Sequence, residues 1–281
     1  MKFVLFETPD ISARYGLLTA NGVVPLETVP AEETVEDQLQ HLIDTFDAFQ
    51  PRLAQRTTAS PIPLERVHLR PPVPWPGKIL VTTATYGART QPPHQLLATL
   101  KSAESVIGPD QIVHLPHVDP AAWQFVPQAM LGLVIRGPAK DIPANRWQTA
   151  VFGYTCVIDV MARGDQQFGR DFWLAKADTL GPLGPCVVTL DEIPDPAQLR
   201  VRSWQNGALA QDFLLSDASH SVAEQVAFAT TVMTLHSGDI LACGTSPIGP
   251  RPLADDDRVE VEIDRIGRLA VRVAAPVALR A

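Results

Sequence analysis

Short apolar segments recur along most of this chain and restrict it to a fold built mainly from strands, and the last two of them alternate with a two-residue period. The clearest example is 258–263, in which valine and isoleucine residues alternate with charged ones. Because successive side chains of a strand point to opposite faces, this segment predicts a sheet with one buried and one solvated face. Further apolar runs lie at 79–81, 131–135, 186–190, 240–243 and 269–273.

Two helices interrupt the predicted strands. The first covers about 34–46, with Thr34 as its N-cap; its apolar face consists of Val35, Leu39, Leu42, Ile43 and Phe46. The second begins at Ser221, which forms a capping box with Glu224, and is expected to end before Gly238. Its predicted buried stripe consists of Val222, Val226, Ala229 and Met233. Many strands, few helices and no regular β-α-β order predict a mostly β (α+β) fold, arranged as an antiparallel or mixed roll.

The first 70 residues are predicted to form a small N-terminal accessory domain, with strands at 2–6 and 15–18. A connector rich in proline, 51–76, follows the first helix. Each proline biases the preceding residue towards extended backbone. Residues 71–281 are then the larger domain.

Composition excludes several classes of partner. The formal charge of −8 and the lack of a basic cluster argue against nucleic acid. No apolar run approaches the length that spans a bilayer, so we expect no membrane partner and a cytoplasmic protein. The three cysteines, Cys156, Cys186 and Cys243, are widely spaced in apolar runs and are expected to be buried thiols.

Ligand-type side chains also occur at His114, His117 and Asp119. Pro116 disfavours a helix that would place both histidines on one face, and in a strand they would point to opposite sides. This segment is interpreted as a polar loop rather than a metal site.

Several motifs occur in a fixed order. They are Gly153-Tyr154-Thr155, Asp159 to Arg163, Asp178-Thr179 before Gly181-Pro182-Leu183-Gly184-Pro185, and Gly238-Asp239 before Gly244-Thr245. Over about 72–275 these motifs resemble the fumarylacetoacetate hydrolase superfamily, whose members cleave, decarboxylate, hydrate or isomerise small oxo acids at a carboxylate-bound divalent metal. The resemblance implies a mixed β-sandwich roll, a homodimer and a small-molecule anionic substrate.

The metal site that this resemblance implies is incomplete. The family pattern places a Glu-x-Glu and an Asp around magnesium or a similar cation, and this chain has Gln128, Met130 and Asp159. Magnesium prefers several oxygen ligands, whereas Met130 offers only a thioether. We therefore expect no metal cofactor, with Mg²⁺ or Mn²⁺ as the alternative.

Two further departures concern acid–base groups. Where the family often has a tyrosine followed by a histidine and a glutamate, this chain has Tyr86, Arg89 and Pro92, with His94 nearby. Lys176 lies one position later than the family lysine before Asp-Thr. On a strand that shift would turn Lys176 to the opposite face, so it is either a substrate ligand or an exposed lysine.

The sequence leaves three functional hypotheses open. The first is a metal-independent enzyme that stabilises an enolate of a small β-keto or 2,4-dioxo acid and catalyses decarboxylation, isomerisation or cyclisation. The second is a non-catalytic ligand-binding or partner protein, and the third is a carbon–carbon bond hydrolase with metal ligands recruited from Asp119 or Asp165. For the enzyme, the resemblance implies Asp159, Lys176 and Thr245 as catalytic residues and Tyr86, Arg89, Arg163 and Gln211 as substrate-binding residues.

Overall fold

A computed structural model of the 281-residue chain describes residues 1–26, 34–56, 60–83, 85–86, 95–119, 121–164, 174–246 and 248–276. Strands dominate these residues, which confirms the predicted mostly β fold. No helix in this part of the chain is long and apolar enough to cross a membrane.

The described residues contain sixteen strands and two α-helices. The strands are β1 (Lys2–Thr8), β2 (Ile11–Thr19), β3 (Gly22–Pro25), β4 (His68–Arg70), β5 (Ile79–Thr83), β6 (Leu97–Lys101), β7 (Val106–Ile107), β8 (Ile112–His114), β9 (Trp123–Ile135), β10 (Val151–Gly164), β11 (Gly181–Thr189), β12 (Arg200–Gln205), β13 (Ala208–Leu214), β14 (Ile240–Ala242), β15 (Arg258–Ile263) and β16 (Gly267–Ala274). The helices are α1 (Val35–Arg56) and α2 (Val222–Val232).

The described strands form two sheets. The larger has the order β3-β2-β1-β11-β10-β9-β14-β5-β6, with β4 paired to β1 and β7 to β11. The smaller has the order β13-β12-β15-β16-β8. At its centre Val259, Val261 and Ile263 are buried while Arg258 is exposed, so the predicted one-sided solvation is confirmed.

A hydrophobic core lies between the two sheets. One cluster joins Ile158 of β10 to Val261 of β15 and Leu269 of β16, all essentially inaccessible to solvent. Cys156 and Cys186 also belong to this cluster, and the three cysteines are buried free thiols as expected. Burial of this apolar surface is the main force that holds the smaller sheet on the larger one.

A second core lies under α1. Phe46 of the helix contacts Phe3 of β1 and Phe152 of β10, with ring centroids 5.9 and 5.2 Å apart. Four of the five predicted apolar residues of α1 are buried, but the helix runs to Arg56, beyond the predicted end and through Pro51. Asp47, Ala48 and Pro51 are exposed, so the apolar stripe marks the buried part of the helix and not its end.

The N-terminal strands extend the same sheet that carries β9 and β10. Lys2 and Phe3 of β1 pair with Val188 and Val187 of β11. The assignment of 1–70 and 71–281 to separate domains stays a prediction.

Helix α2 begins as predicted. The Ser221 hydroxyl accepts from the Glu224 amide at 3.2 Å, and the Glu224 carboxylate accepts from the Ser221 amide at 2.7 Å. The helix ends at Val232 with Met233 as its C-cap, earlier than the predicted end near Gly238. The cause is tertiary, because Leu235 forms a β-bridge with Ala139 and draws the chain into an extended conformation.

The capping box yields a prediction for stability. Replacing Ser221 with Ala removes the acceptor for the Glu224 amide and is expected to lower the free energy of unfolding by about 1 kcal/mol. Urea unfolding followed by circular dichroism measures the change. Ser216→Ala, at an exposed position just before the helix, is the control; equal effects of both substitutions would contradict the assignment.

Candidate active site

Curvature of the larger sheet brings its edge strand β6 over β10. Four strand spacings separate β6 from β10 along the sheet, which in a flat sheet would be about 19 Å. Lys101 of β6 nevertheless reaches Asp159 and the carbonyl of Val160 on β10. The sheet is therefore rolled, and a cavity lies within the roll.

This cavity has a volume of about 120 Å³ in the described part of the chain. Charged groups are contributed by Asp159, Lys101 and Lys176, and the remaining lining is mostly apolar with two threonines. Asp159 and Lys176, both expected to be catalytic, thus face one small space. We name this space the Asp159 cavity.

A buried ion pair joins Asp159 to Lys101. The distance between Lys101 Nζ and Asp159 Oδ1 is 2.5 Å, and only 4% of the lysine and 6% of the aspartate side chain are exposed. Lys101 Nζ also donates to the Val160 carbonyl at 3.2 Å. Hydrogen bonds to two acceptors offset part of the free energy that a buried ammonium group costs.

Gln128 and Met130 occupy neighbouring positions on β9. Gln128 is the cross-strand partner of Asp159, so the two side chains lie on the same face of the sheet. Met130 is paired with Val157 and is fully buried in the apolar cluster under α1.

These residues do not fit a divalent cation. The Asp159 oxygen that would bind such an ion is held by an ammonium group. Gln128 adds one neutral oxygen, and Met130 is a poor ligand for Mg²⁺ or Mn²⁺. The protein itself therefore places a positive charge, the ammonium group of Lys101, beside Asp159.

Lys176 lies in a turn rather than on a strand. The turn is closed by a hydrogen bond of 3.2 Å from the Ala177 amide to the Leu174 carbonyl. The argument from strand alternation therefore does not apply to this lysine, because a turn places side chains without a two-residue period. Burial, followed by repulsion from Lys101, lowers the pKa of Lys176 below its ordinary value.

A second group of predicted residues surrounds the turn at Gly244-Thr245. Gln211 Nε2 donates to Thr245 Oγ1 at 3.0 Å and to the Ser246 carbonyl at 2.7 Å. Gln211 Oε1 accepts from the amide of Ala129, which follows Gln128 on β9. Gln211 therefore braces this turn against β9. Thr245 is not among the residues that line the described part of the Asp159 cavity.

Thr85 and Tyr86 pack against the same turn. Gly244 has a φ of +55°, and a Cβ at this position would collide with the side chain of Thr85, so the close approach requires glycine. The ring of Tyr86 lies edge-on to Phe213, with centroids 5.1 Å apart. Burial, with smaller contributions from Cys243 and Asp217, raises the pKa of Tyr86, which keeps its hydroxyl protonated.

The other predicted residues are not brought to the Asp159 cavity. Arg163 is exposed near the end of β10. His117 and Asp119 line a separate cleft of about 660 Å³ beside Trp123 and Phe125. In the described ranges, no three histidine, cysteine, aspartate or glutamate side chains are grouped to hold a metal ion. Arg89, Pro92, His94 and Asp165 lie outside the described residues.

Lys101 was missed by reasoning from the sequence. In 97–101 it follows a leucine at the end of a short apolar run and reads as an ordinary lysine at the end of a strand. Its partner Asp159 is 58 residues away. The sequence carries no local signal for this pair, because the pair depends on the curvature of the sheet.

The buried ion pair yields a prediction for stability. Lys101→Met leaves the Asp159 carboxylate buried without its partner and is expected to lower the free energy of unfolding by about 3–5 kcal/mol. Adding Asp159→Asn removes the unpaired charge and should recover most of that loss. Chemical unfolding of the single and double variants measures both effects. Lys140→Met, which removes a lysine that is 44% exposed, is the control and should cost less than about 1 kcal/mol.

The bracing of the 244–246 turn can be tested separately. Gln211→Leu leaves the buried Ala129 amide and the half-buried Thr245 hydroxyl without this partner, and a loss of about 1–3 kcal/mol in the free energy of unfolding is expected, mainly from the amide. Thermal unfolding measures this loss. Gln124→Leu, at an exposed position on β9, is the control; an unchanged melting temperature for Gln211→Leu would contradict the bracing role.

Comparisons with known proteins agree with the fold and the motifs. The family model for the fumarylacetoacetate (FAA) hydrolase C-terminal domain matches residues 81–274. Maleylpyruvate hydrolase of Aquipseudomonas alcaligenes is 31% identical over 88% of this chain and 90% of its own length. The human mitochondrial oxaloacetate tautomerase FAHD2B is 27% identical over 97% of this chain and 91% of its own length.

A solved structure is similar over almost the whole chain. It is maleylpyruvate hydrolase from Sphingobium sp. SYK-6 in complex with manganese(II) and pyruvate, with a TM-score of 0.86 and 30% identity, covering 99% of this chain and 100% of that one. With two thirds of its length matched by the family model and its architecture shared with this structure, the chain belongs to the fumarylacetoacetate hydrolase superfamily.

Proposed function

We propose that this protein is an enzyme that acts on a small carbonyl-containing acid of the β-keto or 2,4-dioxo type by stabilising its enolate without a divalent metal ion. The observation that carries the proposal is the placement of Lys101, Lys176 and Asp159 around one small cavity of a fumarylacetoacetate hydrolase fold. Two cationic side chains and one carboxylate are the groups that such a reaction needs.

The chemistry requires a base and a stabilised oxygen anion. Removal of a proton from the carbon beside a carbonyl group leaves an enolate, in which the oxygen carries most of the negative charge. Asp159 is the carboxylate that can accept this proton, and Lys176 can donate a charge-assisted hydrogen bond to the oxygen. Return of the proton to the oxygen or to another carbon completes a tautomerisation or an isomerisation.

The size of the cavity favours a short substrate. The described walls enclose a volume of about 120 Å³. That is below the range of about 300–1,000 Å³ typical of sites for larger ligands. The described walls of the Asp159 cavity therefore suit the reacting end of a small acid.

The charges of the cavity favour an anion. With both amines protonated, Lys101, Lys176 and Asp159 together carry one net positive charge. The side chains of Lys101 and Asp159 are almost inaccessible to solvent, so hydrogen bonds made beside them to a carboxylate or enolate are stronger than in bulk solvent. An anionic acid is thus the substrate class that these residues recognise best.

Enolate chemistry is favoured over hydrolysis by the composition of the site. Hydrolysis of a carbon–carbon bond needs a strongly activated water molecule, and Gln128 and Met130 supply no group to activate one. Tautomerisation, isomerisation, decarboxylation and cyclisation depend mainly on charge stabilisation and proton placement. The tautomerase among the relatives acts on oxaloacetate, as its name states, and this compound is a β-keto acid.

Turnover of a small panel of acids tests the proposal. Oxaloacetate, other β-keto acids and 2,4-dioxo acids are offered to the purified protein, and keto–enol exchange, decarboxylation and cyclisation are followed by ultraviolet absorbance and proton NMR. Turnover of at least one compound is expected to persist in excess EDTA. Lys176→Met should lower kcat/KM about 100-fold, as expected for loss of a donor to an oxygen anion.

Lys140→Met is the matched control, since that lysine is on the surface and pairs with Asp141. Absence of turnover across the panel, together with intact binding of the same acids, would overturn the proposal in favour of a ligand-binding protein. Activity that disappears in EDTA and returns with Mn²⁺ would favour a metal-dependent hydrolase.

The homodimer that the family resemblance implies is a further proposal, which sedimentation tests directly.

A further inference from the structure

We infer that Thr83 and Thr99 determine the specificity of the Asp159 cavity and select a monoanionic acid that carries a second, uncharged oxygen away from its carboxylate. This oxygen belongs to a hydroxyl or a carbonyl group. The inference rests on the proposed function for the class of ligand, a small acid, and it does not require that the acid reacts.

Both threonines face the cavity from adjacent strands. Thr83 of β5 and Thr99 of β6 belong to its lining, together with Val81 of β5. Val81 is the cross-strand partner of Thr99, so Thr83, two residues further along β5, is the diagonal neighbour of Thr99 on the same face. The two threonine side chains therefore lie side by side on one wall of the cavity, which we call the threonine wall.

The hydroxyl groups of this wall have no hydrogen-bond partner within the part of the chain that the structure describes. Thr82, on the opposite face of β5, is different: its hydroxyl lies 2.6 Å from Gln225 Oε1 and 2.9 Å from the Ala242 carbonyl oxygen. Thr82 is fully buried, whereas Thr83 and Thr99 are half-buried. The hydroxyl groups of the threonine wall are thus left to bind solvent or a ligand.

These hydroxyl groups discriminate between ligands with and without an oxygen at this place. A threonine hydroxyl donates one hydrogen bond and also accepts, so it binds a hydroxyl or a carbonyl group. A ligand with such a group replaces the hydrogen bonds that the threonines make to water. A hydrocarbon chain displaces the water without replacing those bonds, and unsatisfied polar groups destabilise the complex.

The charge of the cavity favours a single carboxylate. With both amines protonated, Lys101, Lys176 and Asp159 sum to one positive charge, which one carboxylate balances. The described lining beside the threonines is apolar and uncharged, with Val81 and Met161 among its residues. A second carboxylate placed there would lose its hydration without meeting an opposite charge. An uncharged oxygen avoids that cost.

The spacing along β6 sets how far apart the two ends of the ligand lie. Thr99 precedes Lys101 by two residues on this strand, which separates their Cα atoms by about 7 Å. The oxygen that meets the threonine wall is therefore several carbon atoms from a carboxylate bound at the charged end. An acid with an oxygen on its fourth carbon, such as 4-oxopentanoate, meets this requirement.

Binding of acids that lack a 2-oxo or 3-oxo group tests the inference without catalysis. Pentanoate, 4-oxopentanoate and 4-hydroxypentanoate differ only at the fourth carbon, and glutarate carries a second carboxylate. Their affinities are measured by calorimetry in EDTA. The wild type is expected to bind at least one of the two oxygenated acids about tenfold more tightly than pentanoate and glutarate. Equal affinities for all four acids, or tightest binding of glutarate, would overturn the inference.

Removal of the hydroxyl groups identifies the residues responsible. Thr83→Val/Thr99→Val keeps the shape of both side chains and should abolish the preference for the oxygenated acids, while pentanoate binds at least as tightly as before. Thr149→Val, at an exposed position outside the cavity, is the control and should keep the preference. A preference that persists in the double variant would contradict the assignment. If the double variant does not fold, the same comparison is made with each single variant.

Binding and turnover fail separately in these experiments. A preference that depends on the threonines, in a protein that converts none of the acids of the panel, would sustain the inference and overturn the proposed catalysis. Turnover of the panel by a protein that shows no preference among the four probe acids would overturn the inference and leave the proposed function standing.

Discussion

The ion pair between Lys101 and Asp159 connects the edge strand β6 to β10 across the interior of the rolled sheet. Both side chains of this pair are buried, so its contribution to the free energy of folding depends on the presence of both charges. The roll also encloses the apolar cluster on which α1 packs. The shape of the cavity, its charge and the docking of the helix therefore all depend on the curvature that brings these two strands together.

The charges around Asp159 differ from those of the family pattern. In the pattern that this chain resembles, several carboxylates hold a divalent cation. Here Lys101 on β6 forms an ion pair with Asp159, and Gln128 and Met130 add no negative charge. A lysine offers directed N–H donors and a single charge, so it suits an oxygen anion better than it suits activation of water.

Much of the fold was accessible from local patterns. Alternation predicted β15 and β16, a capping box predicted the start of α2, and the apolar stripe predicted the face of α1 that docks. The end of α1 and the end of α2 were placed wrongly. The apolar stripe of α1 marks its buried part and carries no signal for its end, whereas bridging of Leu235 to Ala139 draws the chain beyond α2 into an extended conformation.

The sequence by itself determined the β-rich class, the ordered motifs of the family and the loss of two carboxylates at positions 128 and 130. Only the tertiary structure decided that Lys101 lies beside Asp159 and that Lys176 lies in a turn next to this pair. It also decided that Gln211 donates a hydrogen bond to Thr245. The physical reason is the number of residues along the chain over which each interaction acts. Side-chain periodicity and capping act over a few residues, whereas the Gln211–Thr245 and Lys101–Asp159 contacts join residues 34 and 58 positions apart. The second of these contacts forms only when the larger sheet curves.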